Sequence, residues 1–260
     1  MYVTPPVADT VTKVTYLGHA SLLVESAGET LVTDPVFSVR IARWFTKRQR
    51  PSEFAPEELK GVVGVLVSHG HHDHLDYGSL KRLGRSLCIV VPWGLATPMR
   101  WRGFTNIRTT RPWEEVTLGR WRVTAVPSRH FGGRLPFVHT SGHQGYVLCG
   151  PSCIYFAGDT GLDEPLFAEI GRRFSLDLAI LPIAGAVFPW YRRNHMDARD
   201  ALAAFRLLGA ARMLPMHFET FPASFEDAGR PRQQLRDESF RLGLDDRVTV
   251  LPEGESLWLS

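Results

Sequence analysis

The chain has 260 residues, of which 44% are hydrophobic and 22% are charged, which is typical of a globular protein with a hydrophobic core. A net charge of only +3 does not mark a nucleic-acid-binding protein, and no apolar run approaches the roughly 20 residues that span a bilayer. Residues 1–9 lack the basic and apolar regions of a signal peptide. We therefore expect a cytoplasmic protein with at most peripheral membrane contact.

The three cysteines are an odd count, and no second cysteine pair exists that would complete a thiolate metal site. Cys88 and Cys153 each lie in an apolar run, so we expect buried free thiols. Free thiols are typical of a reducing compartment, in agreement with a cytoplasmic location. The composition does not change along the chain, which predicts one domain over residues 1–260.

Three short strands, at residues 11–16, 21–25 and 29–34, open the chain as a β-meander. Residues 36–56 are irregular, and their 40–50 part is basic and aromatic. Further strands are predicted at 62–67, 87–92, 106–109, 116–118, 121–126, 144–148, 153–157, 178–182, 212–216, 248–251 and 256–259, and helices at 56–59, 77–83, 97–102, 165–174, 197–208 and 232–242. Strands first, and then strands alternating with helices, indicate an α/β protein whose sheets are covered by helices.

The most unusual stretch is Ser68–Asp76, which contains four of the ten histidines and two carboxylates directly after a predicted buried strand. Clustered imidazoles need polar partners and repel one another when protonated. A divalent cation satisfies both requirements, because neutral imidazole and carboxylate are its natural ligands. His69 and His71 can reach one ion, and Asp73 and His74 can reach a second.

Three more potential ligands, His130, Asp159 and His217, each follow a different predicted strand. Side chains at strand ends converge at one edge of a sheet, where binding and catalytic sites are commonly found. We therefore expect all of these side chains to meet in one metal centre.

Together these residues resemble the metallo-β-lactamase superfamily. His69, His71, Asp73 and His74 match its H-x-H-x-D-H signature, and the downstream ligands follow in order. Within the superfamily the chain is most similar to N-acylphosphatidylethanolamine-hydrolysing phospholipase D and its bacterial relatives, a group that includes ascorbate-6-phosphate lactonase-like proteins. Further matching phrases lie at residues 17–21, 33–38, 156–161, 182–186, 194–197 and 216–218. The resemblance implies a four-layer αβ/βα sandwich with metals at the edge of its two sheets.

The resemblance also implies a role for each residue. His69, His71 and His130 would hold one metal ion; Asp73, His74 and His217 would hold the second, with Asp159 bridging. Zinc suits this nitrogen and oxygen donor set, with manganese or iron as alternatives. Asp34 and His19 are candidates for hydrogen bonding to the metal ligands without binding the metals themselves.

Two divalent ions lower the pKa of a water held between them, and the hydroxide would attack phosphorus or a carbonyl carbon. Asp73 would orient this water. His195 matches a further active-site histidine and would stabilise the transition state or protonate the leaving group. The predicted function is a phosphodiesterase of the phospholipase D type that acts on an N-acylphosphatidylethanolamine-like phospholipid or a similar amphiphile. The alternatives are a lactonase for sugar-phosphate or acyl lactones, and a metal-binding protein without turnover.

Two basic and aromatic segments, at 40–50 and 187–193, are predicted to wall an apolar pocket with a cationic rim. Its candidate substrate contacts are Arg43, Trp44, Phe188 and Trp190. For 40–50 the alternative is a solvated covering loop. We expect a small molecule or phospholipid as the partner and no nucleic acid, since 260 residues leave no room for the extra domain of nuclease relatives. The oligomeric state stays open.

Overall fold

Two β-sheets form most of the structure, a computed structural model that describes residues 10–41, 46–49, 54–131, 141–184, 191–221 and 229–260. The described strands are β1 (Thr12–Gly18), β2 (Ser21–Ser26), β3 (Glu29–Thr33), β4 (Arg40–Ile41), β5 (Thr46–Lys47), β6 (Val62–Leu66), β7 (Ile89–Pro92), β8 (Ile107–Thr110), β9 (Glu115–Leu118), β10 (Trp121–Val126), β11 (Gly145–Cys149), β12 (Cys153–Phe156), β13 (Leu178–Pro182), β14 (Arg212–Met216) and β15 (Ser256–Leu259). The helices are α1 (Tyr77–Leu83), α2 (Ala96–Arg100), α3 (Glu164–Arg173), α4 (Ala198–Leu208) and α5 (Arg230–Arg241), with 3₁₀ turns at Pro56–Glu58, Tyr191–Arg193 and Asp245–Arg247.

The first sheet has the strand order β15-β1-β2-β3-β6-β7-β8. Strands β1 to β3 form the predicted antiparallel meander, β15 pairs antiparallel with β1, and β3, β6, β7 and β8 are parallel. The second sheet has the order β14-β13-β12-β11-β10-β9, in which β12, β13 and β14 are parallel. Because β11 is antiparallel to both β10 and β12, the carboxyl ends of β10, β12 and β14 all lie at one edge.

The side chains of the first sheet alternate between two hydrophobic clusters, as the two-residue period of a strand requires. Leu22, Leu31 and Leu66 belong to a core that contains both faces of the second sheet together with α3 and α4. Their neighbours Leu23, Val32 and Val65 pack with α1 and α2 on the opposite face. The two sheets therefore lie face to face between outer helices, and the predicted αβ/βα sandwich is confirmed.

Helix α4 has the strongest start signal. The Asp197 carboxylate accepts hydrogen bonds from the backbone N–H groups of Arg199 (2.9 Å) and Asp200 (3.0 Å), and Asp200 reaches back to the Asp197 N–H. This capping box satisfies donors that the first turn leaves unpaired. Gly209, in the left-handed conformation, ends the helix.

Replacing Asp197 with alanine should lower the free energy of unfolding by about 0.5–2 kcal/mol, because the cap is lost. Urea denaturation followed by circular dichroism measures this change. The exposed Asp246 provides the control, since Asp246→Ala removes a carboxylate outside any α-helix cap. Equal stability of the two variants would contradict a role for the cap.

Most predicted elements agree with the structure to within one or two residues, and α1 agrees at both ends. Two expectations were wrong. Residues 248–251 are not a strand, since only Val248 makes an isolated bridge, to Met213. Cys153 is not a free thiol but forms a disulfide with Cys149, because the β11–β12 register places the two directly opposite one another. The segment predicted to be irregular also contains the short β4–β5 pair.

Cys88 is a partly buried free thiol, as expected. The disulfide removes one argument for a reducing compartment, so the cytoplasmic location stays a prediction. Among the helices of the described ranges, none is sufficiently long and apolar to cross a membrane.

Candidate metal centre

Four strand ends deliver the predicted ligands to one place. The loop after β6 carries His69, His71, Asp73 and His74, and the loops after β10, β12 and β14 carry His130, Asp159 and His217. Although these residues come from different sheets, the His69 and His130 rings lie only 4.7 Å apart. Gly158 permits this approach, because a Cβ at its position would lie 2.6 Å from the Ser68 Cβ.

The first cluster contains His69, His71, His130 and Asp159. The Nδ1 atom of His71 lies 2.8 Å from the Nε2 of His69 and 3.3 Å from the Nε2 of His130. The Nδ1–H of His130 is directed to the backbone carbonyl of Asn194 at 2.9 Å, which leaves its Nε2 as a lone pair. Ring nitrogens that converge in this way suit a shared cation.

The second cluster contains Asp73, His74, His217 and also His19. The Asp73 Oδ2 atom lies 3.2 Å from His19 Nε2, 3.7 Å from His217 Nε2 and 3.9 Å from His74 Nε2. The sequence analysis predicted His19 as a residue that supports the metal ligands and does not bind a metal. In the structure its ring nitrogen is as close to this cluster as the predicted ligands are to one another.

Asp159 lies between the two clusters. Its Oδ2 is 4.0 Å from His69 Nε2 and 3.9 Å from His130 Nε2 on one side, and 3.3 Å from His74 Nε2 on the other. Its Oδ1 is 3.2 Å from His217 Nε2. This is the position that a carboxylate shared by two ions would take.

Asp34 and Ser68 determine which nitrogen of two candidate ligand histidines, His69 and His74, carries the proton. The buried Asp34 carboxylate accepts from His74 Nδ1 at 2.7 Å and from both the N–H (2.7 Å) and hydroxyl (2.5 Å) of Ser68. Since the Ser68 hydroxyl donates to Asp34, it can accept from His69 Nδ1, at 2.9 Å. The Nε2 lone pairs of His69 and His74 are thereby left for a metal. Ser68 was not predicted; its position directly before the H-x-H motif was the available signal.

The residues fit a pair of divalent ions. Within the described part of the chain, His74 Nε2, His217 Nε2 and Asp159 Oδ1 are buried without a hydrogen-bond partner, although they lie close to one another. Unsatisfied buried polar atoms are costly, and a cation in contact with all three removes that cost. An all-nitrogen-and-oxygen donor set suits zinc, manganese or iron.

Burial and neighbouring charges shift the pKa values of these groups. Burial, together with the nearby His74, lowers the pKa of His69 well below its ordinary value. Burial alone would lower the pKa of His217, but the Asp159 carboxylate outweighs it and raises this pKa to about 9. Burial lowers the pKa of His19 to about 3.

His195 stands beside both clusters. Its Nδ1 lies 3.7 Å from Asp159 Oδ2, and its ring centre is 5.0 Å from that of His130 and 6.0 Å from that of His217. The side chain is mostly buried, and burial lowers its pKa. It lies three residues before the start of α4, on the segment whose Asn194 carbonyl holds His130.

The four predicted substrate contacts, Arg43, Trp44, Phe188 and Trp190, lie outside the described residues. Arg48 of the same basic segment is described, and it is not part of a cationic rim: it is 2% exposed and its guanidinium points into the protein.

We expect Asp34→Asn to weaken metal affinity about 10- to 100-fold. An amide has one acceptor oxygen, whereas Asp34 serves three donors, so at least one donor on Ser68 or His74 would face an NH₂ group. Zinc titration against a competing chelator measures the change, with the exposed Asp246→Asn as control. Unchanged affinity in Asp34→Asn would contradict this role.

A sequence profile described as the β-lactamase superfamily domain matches residues 29–218. The chain is 32% identical to N-acyl-phosphatidylethanolamine-hydrolyzing phospholipase D 1 of Caenorhabditis elegans, over 94% of this chain and 74% of that protein. It is also 32% identical to a UPF0173 metal-dependent hydrolase of Nitratidesulfovibrio vulgaris, over 95% of each chain.

Solved structures share the fold. A metallo hydrolase from the archaeon Ignicoccus hospitalis superimposes with a TM-score of 0.73 at 23% identity, over 96% of this chain and 99% of that one. An isothiocyanate hydrolase from Delia radicum gut bacteria gives a TM-score of 0.77 at 22% identity, over 94% and 98%. At these identities the likeness concerns the fold alone.

Proposed function

Because the chain belongs to the β-lactamase superfamily, among its metal-dependent hydrolases, we propose that it is a dinuclear phosphodiesterase of the phospholipase D type. Its substrate is an N-acylphosphatidylethanolamine-like phospholipid or a similar amphiphile, and its metal is zinc. The main support is the position of Asp159 between two sets of nitrogen and oxygen donors, with His195 beside it. The Caenorhabditis elegans relative, named for this activity, supports the substrate class.

Each cluster would bind one ion: His69, His71 and His130 the first, Asp73, His74 and His217 the second, with Asp159 shared. Two bound zinc ions supply Lewis acidity and a more acidic water. The remaining chemistry belongs to this chain's own side chains.

Asp73 is the carboxylate that can reach an incoming water, because its side chain is 28% exposed whereas that of Asp159 is 2% exposed. We assign it the orientation of the attacking water toward phosphorus. His195 is within reach of the same space, and its imidazolium form would give a proton to the departing oxygen. Cleavage would then form one P–O bond to the water oxygen and break the P–O bond to the alcohol. One water proton would pass to solvent by way of the Asp73 carboxylate. The alcohol would leave with the proton from the His195 imidazolium, which solvent then reprotonates.

The test is incubation of zinc-loaded protein with N-acylphosphatidylethanolamine in detergent micelles in ¹⁸O-labelled water. We expect phosphatidic acid and the free N-acylethanolamine, with the label in the phosphatidic acid, since water attacks phosphorus. Label in a released fatty acid would mean carbonyl attack and would overturn the phosphodiesterase proposal.

An acyl-homoserine lactone, tested in parallel, addresses the lactonase alternative. Ring opening without any phosphatidic acid would replace the proposed function with lactone hydrolysis. Full zinc occupancy with no turnover on either substrate would favour a metal-binding protein instead.

A further inference from the structure

Arg48 is a buried cation within a segment whose sequence predicted a substrate rim. Its guanidinium donates to the backbone carbonyls of Val36 and Leu17, each at 2.8 Å, and to Glu253 Oε2, also at 2.8 Å. Burial of an arginine is costly unless its charge is paired and its N–H groups are satisfied. The two terminal nitrogens of Arg48 bind these three acceptors and so join their segments, while its buried Nε has no hydrogen-bond partner among the described residues.

Glu253 transmits this contact to the loop after β14. Its Oε1 accepts from the hydroxyl of Thr220 at 2.9 Å, and Thr220 Oγ1 accepts from the backbone N–H of His19 at 2.7 Å. Thr220 is 2% exposed, so its bond to the His19 N–H is shielded from water, whereas the Glu253 side chain is 33% exposed. The chain of contacts runs from Arg48 through Glu253 and Thr220 to His19.

His19 and His217 need such support because both have left-handed backbone conformations, with φ values of 56° and 62°. Non-glycine residues adopt this conformation only when their surroundings hold them there. The two are tied together, since the His217 N–H donates to the His19 carbonyl at 2.8 Å. Their rings lie 4.0 Å apart in the second cluster.

Gly18 leaves the space for this connection. It has φ of +98°, and a Cβ there would lie 2.2 Å from Glu253 Oε1 and 2.5 Å from an Arg48 nitrogen. A side chain at position 18 would therefore displace the Arg48–Glu253 pair.

We propose that Arg48, Glu253 and Thr220 are positioning residues, which hold His19 and His217 in the geometry of the second metal cluster. Loss of these contacts should weaken metal binding in the second cluster and not in the first. This rests on the two-ion centre of the proposed function. Neither Arg48 nor Glu253 contacts a proposed ligand side chain, and they act through backbone positions.

The test is zinc titration of metal-free protein, with Thr220→Val and Glu253→Gln as variants and thermal denaturation to verify folding. The unaltered protein should bind two equivalents. In both variants the affinity for one equivalent of zinc should fall at least tenfold, while the affinity for the other stays the same. Thr220→Ser retains the hydroxyl and should bind both equivalents as the unaltered protein does. Glu57→Gln is the matched control for Glu253→Gln, because Glu57 forms an exposed pair with Arg82.

A general structural role would weaken both equivalents together, and that outcome overturns the proposal. Two unchanged equivalents in the folded variants overturn it as well. If the unaltered protein binds fewer than two ions, the proposed dinuclear function fails at its first step, so the two failures are distinguishable.

Discussion

In an Asp159→Ala variant we expect the loss of most bound metal and a fall in turnover of about a thousandfold or more. Asp159 is the carboxylate that lies within 4.0 Å of nitrogen donors from both clusters. Without it the two sets of histidines face one another with less compensating negative charge. Loss of a bound ion removes several kcal/mol of transition-state stabilisation, and each 1.36 kcal/mol is a factor of about ten in rate.

Elemental analysis after gel filtration, combined with initial rates at saturating substrate, measures both effects. The Asp246→Ala variant controls for the loss of an acidic residue at an exposed site. Two ions per chain retained by Asp159→Ala would show that this carboxylate is not shared between them.

For His195→Ala we expect turnover to fall about 100- to 10,000-fold with the metal content unchanged, as for loss of a general acid. The size of the effect should depend on the leaving group. An alkoxide needs a proton as it departs, whereas p-nitrophenolate does not, so the variant should lose far less activity on bis-p-nitrophenyl phosphate than on the phospholipid.

Comparing the two substrates separates proton donation from positioning. An equal loss on both would mean that His195 orients the substrate or stabilises charge rather than protonating the leaving group. Loss of metal together with activity would make His195 a ligand or a structural residue instead.

Much of the fold could be predicted because its signals are local. The Val-rich run before His69 and the Gly84 that ends α1 identify their elements without reference to distant parts of the chain. The gathering of His130, Asp159 and His217 beside the H-x-H-x-D-H motif could also be predicted, since residues at parallel strand ends meet at one edge. The structure brings all of these side chains together.

Other features depend on contacts between residues far apart in the chain, and no local pattern indicates them. Arg48 looked like a surface cation because its partner Glu253 is 205 residues away. The Cys149–Cys153 disulfide depends on the register of a hairpin whose strand ends were uncertain by a residue. His19 was predicted to support the ligands, but its ring lies within the second cluster. A backbone hydrogen bond to His217, which only the folded chain forms, holds it there.

Both candidate metal clusters take their side chains from both sheets. The loop after β6 of the first sheet faces candidate ligands that follow β10, β12 and β14 of the second sheet. An ion in either cluster would therefore bind side chains from both sheets and link them. Binding then adds directly to folding stability, by about 2.7 kcal/mol for each ion at a free concentration 100 times its dissociation constant. Under metal limitation we therefore expect less folded protein, in addition to the loss of activity in the metal-free form.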